Sequence, residues 1–269
     1  MALSKHNRLT VADLRALKGK RQLTMLFVET LDEAAAAAAA GIDILSIIEP
    51  AWSLAMREAA GDCFVQVGLI YGQHCTCEDY LRAAHKNLMI GGDAFYCAGS
   101  LDTIAKLAAE GIPVVGHVGL IPARATWTGG FKAVGKTATE AMRVYEHVKQ
   151  LEAAGAVAAE IEVVPARVAA ELSKRTSLFL MSMGAGSGCD AQYLFAEDVL
   201  GYSRGHRPRH AKVYRNFRDE YERLQRDRIA AFQEFRADVD KGAYPEDKHL
   251  VPIADAEFAS FVQGLPNPK

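Results

Sequence analysis

Short apolar runs of strand length alternate along this chain with Ala-rich segments that close on glycine, and few folds accept that order. The runs are LTMLFVE (23–29), DILSII (43–48), CFVQVGLI (63–70), AFYCA (94–98), PVVGHVG (113–119), AAEIEVV (158–164) and LFLMSM (178–183). Most are nearly continuous in apolar residues, as strands buried on both faces must be. Between the first two, LDEAAAAAAAG begins with acids, continues through strong helix formers and ends in glycine, the charge order and cap that a helix favours. LDTIAKLAAEGIP repeats this up to Gly111 and Pro113, and EAMRVYEHVKQLEAAGA repeats it up to Gly155. Parallel strands joined by helices follow. Seven strands, with one missed, predict a (β/α)8 TIM barrel in preference to an open doubly wound sheet.

A chain of 269 residues, 50% hydrophobic, buries one core of barrel size, so 1–269 reads as a single domain. From about residue 207 the composition becomes charge-dense, with aromatic and aliphatic residues at three- and four-residue spacing through RNFRDEYERLQRDRIAAFQEFRADVDKG. Residues 207–269 are therefore expected to be a mainly helical C-terminal extension used in subunit packing. The basic cluster Arg204, Arg207, Arg209 and Lys212 reads as a solvated helix start or a subunit contact before it reads as a phosphate site.

Charge narrows the partners. Lys+Arg 31 against Asp+Glu 33 leaves a net charge of -2, which argues against nucleic acid and against an anionic membrane surface. No run approaches the ~20 apolar residues of a membrane span, and MALSKHNRLT lacks the apolar stretch of a secretory signal. Five cysteines, an odd number, fit reduced thiols and a cytoplasmic protein. Cys75 and Cys77 have no second pair to complete a structural zinc site.

Candidate chemistry sits at strand ends. Glu160 and Glu162 flank Ile161 in an apolar strand, so both point to one face, the barrel interior or its mouth. A carboxylate there can have its pKa raised by desolvation until it exchanges protons near neutral pH, although pairing with a basic residue across the barrel explains it equally well. His117 lies in an apolar strand between two glycines, which leave backbone space beside an imidazole, and a satisfied core histidine is the plainer reading. GGFKAVGK follows with two lysines suited to closing over an anion. MSMGAGSGCD (181–190) runs from a strand into a glycine-rich turn ahead of a helical segment, where backbone N–H groups can meet carboxylate or phosphate oxygens. Ser182 is its candidate substrate-binding side chain. The full dinucleotide fingerprint is absent, so NAD is not expected.

In this order, LTVADLRALKGKRQLTML, AAGIDIL, GIPVVGHVGLIP, GGFKAVGK, IEVVP, MGAG and GAYPEDKH, these segments resemble the ketopantoate hydroxymethyltransferase family over most of the chain. The resemblance implies a (β/α)8 barrel of the phosphoenolpyruvate/pyruvate superfamily, with its site at the strand C-termini and with assembly into a homo-oligomer, commonly a decamer. It also implies deprotonation of a small 2-oxo acid to an enolate stabilised by Mg²⁺, which attacks the one-carbon unit of methylenetetrahydrofolate. Glu162 matches the family's general base, and His117 matches a histidine of the substrate site.

The departures fall on the metal site. The family's GDS motif is replaced by Ile48-Glu49-Pro50, leaving Glu49 as the single candidate metal ligand. An expected aspartate corresponds to Gly68, and the KxEGG pattern corresponds to Tyr96-Cys97-Ala98-Gly99-Ser100. Mg²⁺ is thus doubtful on one carboxylate, and a softer ion on His74, Cys75, Cys77 and Cys97 is the substitute to weigh. Beside the parent reaction stand two alternatives: a metal-independent aldolase, C–C lyase or decarboxylase acting on another oxo acid, and a noncatalytic ligand-binding barrel.

Overall fold

The structure, a computed structural model, describes residues 8–205 and 207–266. Eight parallel strands close into a barrel in sequence order: β1 (Leu23–Phe27), β2 (Ile44–Ile48), β3 (Phe64–Gly68), β4 (Ala94–Tyr96), β5 (Val114–Gly119), β6 (Ala158–Glu162), β7 (Phe179–Met183) and β8 (Ala191–Phe195). The first seven fall within the seven apolar runs. Helices follow β1 to β6 and β8. Those starting at Leu31, Cys77 and Ala138 each open on a reciprocal cap in which Thr30, Thr76 or Thr137 exchanges hydrogen bonds with the acid three residues on.

Strand alternation divides the core in two. Leu23, Met25, Ile44, Phe64, Val115 and Phe179 fill the barrel interior, while Leu45, Ile47, Val65, Val67, Phe95 and Leu180 face the helices. Helix Val11–Leu17 puts Leu14 into the interior cluster, at the end where the strands begin. The Lys18 ammonium pairs there with Asp190 at 2.7 Å, just ahead of β8. That end is plugged, so a ligand must use the end where the strands finish.

The eighth strand corrects the reading of MSMGAGSGCD. No helix lies between β7 and β8; residues 184–190 return along the outside of the barrel through bends and a turn. A Cβ on Gly186 would stand 2.5 Å from the Ala166 Cβ, and one on Gly188 would stand 2.3 Å from the Ala170 Cβ. These glycines permit close descent past helix Ala166–Ser173, and no helix N-terminus exists there to bind an anion.

Residues up to Arg215 form one compact unit and those from Asn216 a second. The second unit is helical, as its composition predicts, with helices Phe217–Asp240 and Asp255–Gln263, neither of which has a buried residue. Its first helix begins ten residues beyond 207. Residues 207–215 instead belong to the barrel unit, where the Tyr214 N–H bonds the Val199 carbonyl at 2.9 Å.

Candidate active site

Polar residues interrupt the apolar strands at inward positions and meet inside the barrel. Ser46 (β2), Gln66 (β3), Tyr96 (β4), His117 (β5), Glu160 and Glu162 (β6) and Tyr193 (β8) contribute. His117 is the register partner of Glu160 and Gly119 that of Glu162, so the imidazole lies beside both acids. Its Nε2 is 3.3 Å from a Glu162 carboxylate oxygen, and its Nδ1 is 3.7 Å from Glu160 and 2.8 Å from the Tyr96 hydroxyl. His117, Glu160 and Glu162 are each over 90% buried. The Gln66 amide donates to Glu160 at 2.7 Å and to Ser46 at 3.2 Å, and Ser46 bonds the Tyr193 phenol.

Burial makes charge expensive here. It pushes the Glu160 carboxyl above its ordinary range; the Glu162 charge adds to the shift, while His117 and the Gln66 hydrogen bond oppose it. Burial likewise holds the Tyr96 phenol well above its ordinary value, reinforced by both glutamates, so it stays protonated at neutral pH. Among the described residues, two buried side-chain atoms, His117 Nε2 and Gln66 Oε1, have no hydrogen-bond partner. Buried polar atoms are seldom left so, and unmet ones mark where a ligand group completes the network.

Glu162 is fixed by its backbone. Val163 adopts φ 50, a left-handed conformation that β-branched residues avoid. It is held there because its N–H bonds the Met183 carbonyl at 2.9 Å and its carbonyl accepts from Val134 at 3.1 Å. Val134 belongs to the GGFKAVGK segment, so the predicted lysine-bearing loop does meet the strand that carries Glu162. Strain of this kind costs about 1–3 kcal/mol and collects at functional sites.

The structure joins Glu162 and His117 and separates the other two expected residues from them. Ser182, expected to bind substrate, faces outward between the inward-facing Met181 and Met183. Its hydroxyl donates to the Gly186 carbonyl at 2.8 Å and accepts from the Ala185 N–H, tying down the return segment. Glu49, the expected metal ligand, lies just past β2 and bonds His74 Nε2 at 2.8 Å. The Cys77 thiol bonds Thr103, Cys97 is buried and Cys75 exposed. No group of three or more His, Cys, Asp or Glu among the described residues is disposed to hold a metal ion, so His74 and the three cysteines do not form the convergence that a softer ion would need.

Glu160 carries a prediction of its own. Its folded-state pKa is raised, so its contribution to stability is complete below the unfolded value near 4.5 and is lost as pH rises through the folded value. The stability gap between wild type and Glu160→Gln is expected to vary across that window by up to about 1.4 kcal/mol per pH unit, with the variant gaining relative stability towards higher pH. Urea midpoints from pH 4 to 9 measure it; a constant gap would show that Glu160 ionises normally.

A closed (β/α)8 barrel with a buried acid–imidazole–acid cluster near its strand C-termini has the layout of a barrel enzyme, whose active site lies at that end. The family model described as ketopantoate hydroxymethyltransferase matches residues 52–247. A 3-methyl-2-oxobutanoate hydroxymethyltransferase of Thermus thermophilus is 32% identical over 268 residues, 90% of this chain and 99% of that protein. The enzyme of the same name from Halalkalibacterium halodurans is 33% identical over 207 residues, 75% of this chain and 71% of that one. That of Thermotoga maritima is 29% identical, covering 90% and 96%. The chain belongs to the ketopantoate hydroxymethyltransferase family.

Proposed function

We propose that this enzyme deprotonates a small 2-oxo acid at C3 with Glu162 and adds the resulting enolate to the one-carbon unit of methylenetetrahydrofolate. The observation that carries the reading is the buried Nε2 of His117, which has no hydrogen-bond partner and lies 3.3 Å from Glu162. With Tyr96 a phenol that donates to Nδ1, the ring proton lies on Nε2. That proton suits the oxo oxygen of the substrate. As the C3–H bond breaks, the proton goes to Glu162, the electron pair moves onto the oxo oxygen, and the Nε2–H hydrogen bond strengthens against the developing charge. The names of the relatives supply the substrate, 3-methyl-2-oxobutanoate. Five cysteines without a disulfide, and no helix among the described residues long and apolar enough to cross a membrane, support a cytoplasmic reaction. Exposed apolar side chains on both helices beyond Asn216, such as Phe232, Phe235, Phe258 and Phe261, support a homo-oligomer, and a decamer matches the family resemblance.

The family's Mg²⁺ does not fit these residues. Mg²⁺ requires hard oxygen ligands, commonly one or two carboxylates with water and substrate. β3 ends on Gly68, β4 is followed by Cys97 and Ala98, and Glu49 is engaged by His74. No step of this reading passes through a metal. Turnover of 3-methyl-2-oxobutanoate with methylenetetrahydrofolate to ketopantoate tests the function, and it is expected to persist in excess chelator. Calorimetry is expected to show no tight Mg²⁺ binding. Mg²⁺-dependent turnover would restore the parent mechanism, and oxo-acid cleavage in metal-free buffer without folate would favour the lyase alternative.

A further inference from the structure

The segment from Arg207 to Arg215 is RPRHAKVYR, with four arginines and lysines and no acid in nine residues of a chain whose net charge is -2. It does not continue into the helix that follows. Gly201 and Arg215 close its base, where a Cβ on Gly201 would stand 2.0 Å from the Arg215 carbonyl oxygen. The Ala211 N–H bonds the Pro208 carbonyl at 3.0 Å, making a turn with His210 inside it.

His210 is seated on Gly184, the first residue past β7. A Cβ there would lie 2.6 Å from His210 Nδ1 and 3.0 Å from its Cγ, so the imidazole occupies the space that a side chain at 184 would take. Gly184 follows Met183, the register partner of Glu162. The imidazole is therefore at the mouth of the barrel, on the side of the general base and partly shielded from water. Two carboxylates act on it: Glu162 from β6 and Asp198 from helix Ala196–Leu200. Asp198 is already engaged by the Ser203 hydroxyl at 2.6 Å.

We propose that His210 is a substrate-binding residue that meets the carboxylate of the bound 2-oxo acid beside Glu162, at the centre of a basic segment that favours anions. This rests on the functional reading above. The anionic substrate needs a positive partner in a site whose inner acids are Glu160 and Glu162, and no metal cluster among the described residues provides one. Burial depresses the charged form of His210 in the free enzyme, opposed by Glu162 and Asp198. An incoming carboxylate reverses that balance, so the imidazole takes up a proton as the substrate binds.

Titration of 3-methyl-2-oxobutanoate into the full-length protein near pH 7, in two buffers of different ionisation enthalpy, counts that proton. Wild type is expected to take up about one proton on binding. H210Q is expected to lose the uptake and to raise KM roughly tenfold to a hundredfold, with kcat within about threefold, because a charge-assisted contact present in ground and transition states is removed. Gly184→Ala leaves the imidazole chemistry intact but fills its seat, and it should lose the uptake as well; this second variant decides the matter if H210Q folds poorly. Unchanged uptake and KM in H210Q, or unchanged uptake in folded G184A, would overturn the assignment alone. A wild type that binds no 2-oxo acid would overturn the functional reading, and this assignment with it.

Discussion

Glu162→Gln is expected to lower turnover by about 10²–10⁴-fold, the usual contribution of a general base, while the barrel stays folded. Glutamine fills the same volume at a position 8% exposed, and its amide can still face His117. What is lost is the capacity to accept the C3 proton. KM should change little, because the phenol and imidazole that hold the oxo group are untouched. Steady-state kinetics beside a melting curve separate loss of chemistry from loss of fold. Turnover within about threefold of wild type would place the base elsewhere.

Gly119→Ala is expected to have a large effect on stability. Gly119 ends β5 at φ +86, and a Cβ there would stand 2.3 Å from the Glu162 carbonyl oxygen and 2.6 Å from Val164 Cγ2. The oxygen is backbone, already bonded by the Leu120 N–H at 2.9 Å, and cannot swing away as a side-chain tip would. Left-handed strain and overpacking each cost about 1–3 kcal/mol, so a loss of about 3 kcal/mol is expected, roughly 10 °C in melting temperature for a domain of this size. Since the clash falls on the backbone of Glu162, residual folded protein should also lose activity. A variant that melts within about 2 °C of wild type would show that β5 and β6 are less tightly apposed than this geometry requires.

The barrel was legible because buried parallel strands are continuous apolar runs and their helices carry cap signals at both ends. β8 was not, because AQYLF is short, alternates in burial and follows a glycine-rich return with no helix to mark it. The glycines of that return read as an anion turn, since sequence alone does not reveal a helix lying 2–3 Å from where their side chains would be. Within the site, Glu160, Glu162 and His117 stood out as charged or titratable residues in apolar strands. Ser46 in ILSII and Gln66 in FVQVG carry the same signal in weaker form: a polar residue at an inward position. Tyr96 and Tyr193 pass for core aromatics until their hydroxyl partners are seen. His210 was hidden for a different reason. Its neighbours continue the charge density of the helix beyond, and only the closed base of the loop sets it at the barrel mouth.

In the proposed reaction Glu162 removes the C3 proton of a 2-oxo acid beside His117. Exchange of that proton in 3-methyl-2-oxobutanoate with D₂O, followed by NMR in chelator and without folate, tests it most directly. The account predicts steady exchange by wild type, a fall of at least about 10²-fold in Glu162→Gln, and continued exchange in Glu160→Gln. Exchange at the wild-type rate in Glu162→Gln, or its abolition by Glu160→Gln alone in a folded protein, would contradict it.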